Sequence, residues 1–185
     1  MATDSSNRYT GAAIALHWLL ALMILGSMGF GWYMSDLPFS LQRVKLYNWH
    51  KWAGITILTL SLLRLLWRLT HRPPALGERI RRVMPPWQQS ASEWTHRLMY
   101  LLFFAVPLIG WAYSSAAGFP VVWFGVLALP DFVPKDKALS DAIKPFHAIA
   151  AYTLLALVVL HVAAALKHHF VDRDGLLARI GLGRV

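Results

Sequence analysis

Residues 146–170 read FHAIAAYTLLALVVLHVAAALKHHF, a stretch in which Lys167 is the only Lys, Arg, Asp or Glu. A helix needs about 20 apolar residues to cross the hydrocarbon core of a bilayer, so this stretch is long enough to span. It also carries two histidines, His147 and His161, inside the apolar run. Ionisable side chains are costly in hydrocarbon and usually have a function. The stretch therefore predicts a membrane-spanning helix whose histidines do chemistry.

Three further apolar stretches have the length of a span, in a chain of 185 residues that is 57% hydrophobic and 15% charged. The four predicted helices cover about residues 11–34, 46–69, 94–113 and 143–169. We therefore predict an all-α, integral membrane four-helix bundle that forms a single domain over residues 1–185. Residues 118–130 are apolar but too short and too rich in Gly and Pro to span, which predicts a folded-back or interfacial segment.

The net charge of +9 comes from Lys and Arg residues that flank the apolar stretches, which favours contact with membrane lipid over binding of nucleic acid. Of the 18 Lys and Arg residues, twelve fall on the side that holds both termini. They are Arg8, Arg64, Arg68, Arg72, Arg79, Arg81, Arg82, Arg97, Lys167, Arg173, Arg179 and Arg184. The other six are Arg43, Lys45, Lys51, Lys135, Lys137 and Lys144. The positive-inside rule then predicts that both termini are cytoplasmic.

Four histidines fall at two depths of the predicted bundle. His17 and His161 lie roughly 10 Å inside from the cytoplasmic side, at 1.5 Å per residue. His50 and His147 each lie about four residues inside from the outer side, on the predicted bounds. His147 and His161 are 14 residues apart, which puts them within about 40° of one helix face and about 21 Å apart along the axis. The pattern predicts one imidazole pair at each depth.

Paired imidazoles indicate two haems, each held by two histidines. The residue four positions after each histidine is small (Ala21, Gly54, Ala151 and Ala165), which leaves room for a flat porphyrin beside the ligand. The chain has no cysteine, so the haem would be held non-covalently and iron–sulfur clusters are excluded. Two alternatives are histidines that only hydrogen-bond inside the bundle and a zinc site, although zinc needs three or four ligands converging at one point. A haem with two imidazole ligands favours electron transfer over oxygen binding.

Four segments resemble the bacterial cytochrome b561 family of four-helix, di-haem membrane proteins, over nearly the whole chain. They are IALHWLLALM (14–23), NWHKWAGITILTLSLLRLLWRL (48–69), HRLMYLLFFAVPLIGW (96–111) and residues 146–170. The resemblance implies a bacterial inner-membrane protein with two haem b groups, His17 and His161 holding the inner haem and His50 and His147 the outer one. It also implies electron exchange with ubiquinone, and some members take the electron from superoxide at the outer face.

The chemistry implied by this resemblance suggests further site residues. Lys51 and Lys144 lie close to the outer ligands and could steer an anion such as superoxide, or bind lipid or haem propionates instead. Arg64 and Arg68 could pair with inner haem propionates or reach to the cytoplasmic surface. His96, predicted at the very start of its helix, and His168 and His169 are candidates for an inner quinone site. The alternative for His168 and His169 is an interfacial position at the lipid headgroups.

The sequence leaves three functions open. The first is a superoxide:ubiquinone oxidoreductase. The second is a di-haem relay subunit that anchors a dehydrogenase or hydrogenase and passes its electrons to quinone. The third is a transporter or structural protein without haem.

Overall fold

Four long helices dominate the computed structural model, which describes residues 8–182; Arg184, counted above, lies outside the described residues. They are α1 (Gly11–Ser35), α2 (Leu41–Thr70), α4 (Pro86–Ala116) and α5 (Lys137–Lys167), and a short α3 (Glu78–Val83) lies between α2 and α4. Each long helix is long and apolar enough to cross a membrane. The prediction of an all-α, four-helix membrane bundle is confirmed.

Side-chain caps fix the start of three of the long helices. The hydroxyls of Thr10 and Ser40 accept from the backbone N–H groups of Ala13 and Arg43, at 3.4 and 3.2 Å. The carboxylate of Asp136 accepts from the N–H of Leu139 at 3.1 Å. Such caps satisfy N–H groups that have no partner inside the helix. The remaining long helix, α4, has proline at its first position instead, where no N–H is needed.

The helices extend beyond the predicted bounds at their polar ends. The second begins at Leu41 rather than near residue 46, the third covers Pro86–Ala116 rather than 94–113, and the fourth begins at Lys137 rather than near 143. Hydropathy detects only the part of a helix that lies in hydrocarbon, whereas capped polar turns continue into the headgroup region. The extension corrects the predicted position of His96, which lies ten residues inside α4 rather than at its start.

A layer of apolar side chains joins the four long helices at mid-height. Leu20 and Ile24 of α1 meet Ile57 of α2, Met99 and Phe103 of α4, and Leu154 of α5. Many other leucines and valines point outward, as expected for helices whose solvent is lipid. The layer lies between the two predicted histidine levels, because Leu20 and Ile24 follow His17 and Leu154 lies between His147 and His161.

Residues 118–130 fold back as a small hairpin. Strands β1 (Val122–Trp123) and β2 (Leu127–Ala128) pair antiparallel, and they are the only strands within residues 8–182. Phe124 and Gly125 form the turn with positive φ angles of 51° and 74°, a conformation that glycine adopts freely. The hairpin packs against α2 through hydrogen bonds from Trp52 Nε1 to the Val122 carbonyl at 2.6 Å and from Trp123 Nε1 to the Thr56 hydroxyl at 3.2 Å.

The chain after α5 turns back across the opposite end of the bundle. A π-helical turn (His168–Asp172) and a 3₁₀ helix (Leu176–Ile180) follow α5. Arg179 donates to the carbonyls of Pro74 and Ala75, and the Ile180 carbonyl accepts from Trp18 Nε1 at 3.0 Å. These bonds join the C-terminal segment to α1 and to the loop before α3.

Candidate haem sites

His50 and His147 face each other at the end of the bundle that the hairpin covers. His50 is on α2 and His147 is on α5, and their ring centroids are 6.2 Å apart with planes at 89°. A metal–imidazole bond is about 2 Å long, so two imidazoles on opposite sides of one metal ion have centroids about 6 Å apart. The separation of this outer pair fits a single metal ion between the rings.

In both rings of the outer pair the hydrogen bond is made by Nδ1, which leaves Nε2 available to bind a metal ion. His147 Nδ1 lies 3.1 Å from the Val106 carbonyl, which can only accept, so Nδ1 carries the proton and Nε2 the lone pair. His50 Nδ1 is 3.3 Å from the Ser27 hydroxyl. Metal-ligating histidines almost always use their second nitrogen in this way, because the bond fixes the tautomer and the ring orientation.

Two glycines give the outer imidazoles their space. A Cβ at Gly110 of α4 would lie 2.8 Å from Cε1 of His147, which is closer than real Cβ contacts allow. A Cβ at Gly31 of α1 would lie 3.5 Å from Cε1 of His50, an ordinary contact. The His147 ring therefore depends on the bare backbone of Gly110 to reach its position.

A cavity of about 300 Å³ surrounds the outer pair. Its wall includes Gly54 and Ala151, the small residues four positions after His50 and His147, together with Ala148. Most of the remaining lining is apolar, with polar groups contributed by Lys51, Lys144, three serines and three tyrosines. A mostly apolar pocket of this size with a few polar groups is typical of a cofactor site.

His17 and His161 form the inner pair. Their ring centroids are 6.3 Å apart with planes at 52°, and the separation again fits one metal ion between the rings. The structure thus brings together the two pairs that helix depth predicted. The ring of His96 lies 5.0 Å from that of His161, so a third imidazole joins the inner level.

A spacing of fourteen residues relates the two levels on every long helix. Gly31 follows His17, Arg64 follows His50, Gly110 follows His96 and His161 follows His147 at this spacing. Residues fourteen apart lie near one helix face, so each helix presents one residue to each level. The sequence predictions missed Gly31 and Gly110, although the same spacing that linked His147 to His161 would have indicated them.

Arg64 reaches the inner pair and makes a bond that conflicts with iron ligation. Its Nη2 lies 3.1 Å from His17 Nδ1, and because a guanidinium only donates, Nδ1 accepts and Nε2 carries the proton. A metal at Nε2 of His17 would require the opposite tautomer, and Arg64 would then have to leave Nδ1. The guanidinium carbons of Arg64 and Arg68 both lie 5.5 Å from the centroid of the Tyr100 ring, within cation–π range.

Lys51 and Lys144 both line the outer cavity. Lys51 Nζ also donates to the carbonyls of Phe119 and Pro120, at 3.4 and 3.2 Å, so it fastens the start of the hairpin segment to α2. Lys137 is further out and pairs with Asp141 at 2.7 Å. Lys51 and Lys144 are the Lys and Arg residues found in the described lining of this cavity.

The three predicted quinone-site histidines lie in different surroundings. His168 is buried, and its Nδ1 bonds to carboxylate oxygens of Asp174 at 2.6 Å and Asp172 at 3.1 Å. His169 is exposed and its ring contacts Phe170. None of the described contacts joins these two residues to His96, and the quinone site remains a prediction.

Comparison with known sequences points to one family. The sequence profile of the prokaryotic cytochrome b561 family matches residues 8–183. Cytochrome b561 homolog 2 of Escherichia coli (strain K12) is 31% identical over 96% of this chain and 93% of its own length, and homolog 1 is 29% identical over 94% and 97%. A probable superoxide oxidase, CybB, of Yersinia pestis is 30% identical over 94% of this chain and 95% of its own length.

Proposed function

This chain belongs to the prokaryotic cytochrome b561 family of membrane haem proteins, and from that premise we propose that it holds two haem b groups and carries electrons between the outer face and the quinone pool. The observation that carries the proposal is the pair of ring separations, 6.2 and 6.3 Å, at two heights of one bundle. His50 and His147 would hold the outer haem, and His17 and His161 the inner one.

The ligand set favours electron transfer over other haem chemistry. When bound, haem supplies a one-electron couple between ferric and ferrous iron. Two imidazoles would hold each iron, and a haem held in this way would favour electron transfer over oxygen binding. The apolar layer between the levels, from Leu20 to Leu154, excludes water along the path between them. The two haems would thus form a path for electrons between the two faces of the bacterial inner membrane.

We propose superoxide as the electron donor and ubiquinone as the acceptor. Each superoxide loses one electron and leaves as oxygen, and two electrons with two protons convert ubiquinone to ubiquinol. Lys51 and Lys144 support superoxide as the donor, because positive groups that line a low-dielectric cavity raise the local concentration of a small anion. The name of the Yersinia pestis relative supports the same reaction.

Stopped-flow reduction of the purified, haem-loaded protein by superoxide tests the proposal. The haem α-band should rise on mixing with superoxide and fall again when ubiquinone is added. Lys144→Gln should slow reduction by about tenfold at low ionic strength, and the difference should shrink as salt is added. Arg82→Gln is the matched control, since it removes one exposed charge from α3, at the opposite end of the bundle.

Two results would contradict this reaction. A haem-loaded protein that superoxide does not reduce, but that a co-purified dehydrogenase or hydrogenase subunit does, would be a relay subunit instead. If Lys144→Gln and Arg82→Gln slowed haem reduction equally, the outer cavity would have no role in attracting the anion.

A further inference from the structure

His161 differs from the other three paired histidines in its hydrogen bonding. His147 bonds to the Val106 carbonyl and His50 to the Ser27 hydroxyl, while His17 accepts from Arg64, a bond that iron at Nε2 of His17 would break. The His161 ring contacts His17 and His96 but makes no hydrogen bond within residues 8–182. An iron bound at Nε2 would leave a proton on Nδ1, and such a buried N–H group needs an acceptor.

His96 is placed to be that acceptor. Its ring centroid is 5.0 Å from that of His161. Hydrogen-bonded nitrogens are about 3 Å apart, which puts the centroids of two imidazoles joined by such a bond about 5 Å apart. The depth of His96 in α4, ten residues after the first residue of the helix, brings it to this level of the bundle.

The tautomer of His96 leaves the required lone pair. His96 Nδ1 lies 2.6 Å from the Ser92 carbonyl, which can only accept, so Nδ1 is the protonated nitrogen. Nε2 of His96 therefore carries a lone pair and can accept. The bond to Ser92 also fixes the orientation of the ring on its own helix.

We propose that His96 is a positioning residue that accepts a hydrogen bond from the Nδ1–H group of His161 and lowers the reduction potential of the inner haem. This inference rests on the proposed function. An acceptor on the second nitrogen makes a ligating imidazole more basic and so favours ferric over ferrous iron. An imidazole is a stronger base than the backbone carbonyl that accepts from His147. The basicity of His161 should therefore increase more than that of His147.

A redox titration of the purified haem-loaded protein tests the proposal, with each haem followed by its α-band and its low-spin ferric EPR signal. His96→Leu keeps a side chain of similar volume but has no hydrogen-bond acceptor. His96→Gln supplies a carboxamide oxygen that can accept. His71→Leu is the control, because His71 is exposed and stacks on Trp67 at the end of α2.

His96→Leu should raise the reduced-to-oxidised ratio of the inner haem about tenfold at a fixed potential, which is about 59 mV for a one-electron couple. His96→Gln should restore most of the difference, and the outer haem should not change in any variant. If His96→Leu does not accumulate, His96→Met makes the same comparison.

Equal shifts in His96→Leu and His96→Gln would show a packing role and overturn the proposal. No shift in either would also overturn it, and would assign the acceptor role to a backbone carbonyl of α5. A haem count of the unmodified protein separates these results from failure of the proposed function, because an inner pair without haem would be evident before any variant is compared.

Discussion

Gly110 of α4 leaves the space that the ring of His147, a proposed haem ligand on α5, occupies. The Val106 carbonyl and the bare backbone of Gly110 together hold the His147 ring, and a Cβ at residue 110 would lie 2.8 Å from that ring. The imidazole is rigid and its helix is packed, so it cannot move away without losing its bond to Val106. The small residue is therefore needed for ligand geometry and not only for close helix packing.

Gly110→Ala should weaken binding of the outer haem and spare the inner one. Overpacking costs about 1–3 kcal/mol, which is roughly 5- to 150-fold in haem affinity. Gly29→Ala is the control, because a Cβ there meets nothing within 4 Å. Haem content and the α-band of the two purified variants measure the effect. Full outer-haem content in Gly110→Ala would contradict the described position of His147.

The sequence predicted the paired histidines but not their hydrogen-bond partners. Depth along a helix follows from residue number, so the two levels follow from the sequence alone. The partners do not, because Val106, Ser27 and Arg64 come from neighbouring helices whose rotation about their axes is set by packing. The predicted position of His96 at a helix start was wrong because residues 87–92 are too polar to register as part of a span.

At the scale of elements, the hairpin is fastened to the helix that carries an outer ligand. Lys51 and Trp52, which directly follow His50, bond to the carbonyls of Pro120 and Val122 at 3.2 and 2.6 Å. Val121 is almost fully buried and lines the outer cavity. The hairpin thus closes one side of the cavity, while its turn exposes Phe124 and Val126.

Trp52→Phe should loosen the hairpin without unfolding the helices. It removes one buried hydrogen bond worth about 1 kcal/mol, so amide exchange at Val126 and Leu129 should speed up by roughly fivefold. Both amides bond inside the hairpin, to the carbonyls of Trp123 and Val121. Hydrogen exchange read by mass spectrometry measures this.

Trp49→Phe is the matched control for that experiment, since Trp49 is half exposed and packs on Phe30 instead of the hairpin. Equal exchange in both variants would show that the bond from Trp52 does not hold the hairpin. The sequence predicted a folded-back or interfacial segment here from its Gly and Pro residues, but its docking on α2 depends on tertiary contacts that no local pattern encodes.

At the scale of the whole molecule, the distribution of charge predicts the orientation. The C-terminal segment, α3 and the first residues of α1 meet at one end through Arg179, Arg79 and Trp18. The positive-inside rule assigns this Arg-rich end to the cytoplasm. The hairpin and the outer cavity would then face the other side, from which the proposed donor, superoxide, would approach.

Fusion reporters test this orientation. A green fluorescent protein fused after residue 185 should fluoresce, because it folds in the cytoplasm, and alkaline phosphatase at the same place should be inactive. Phosphatase inserted between Asp131 and Lys135, in the loop after the hairpin, should be active. The reverse pattern would show the opposite orientation, with Lys51 and Lys144 on the cytoplasmic side.

The measurement that tests the account most directly is a haem count with reduced-minus-oxidised spectra on three proteins: the unmodified chain, His147→Ala and His161→Ala. The account predicts two haems per chain in the first and one in each variant. The haem kept by His147→Ala should differ in potential from the one kept by His161→Ala, because they occupy different pairs. A chain with no haem or a single haem, or variants that retain the same haem, would contradict it.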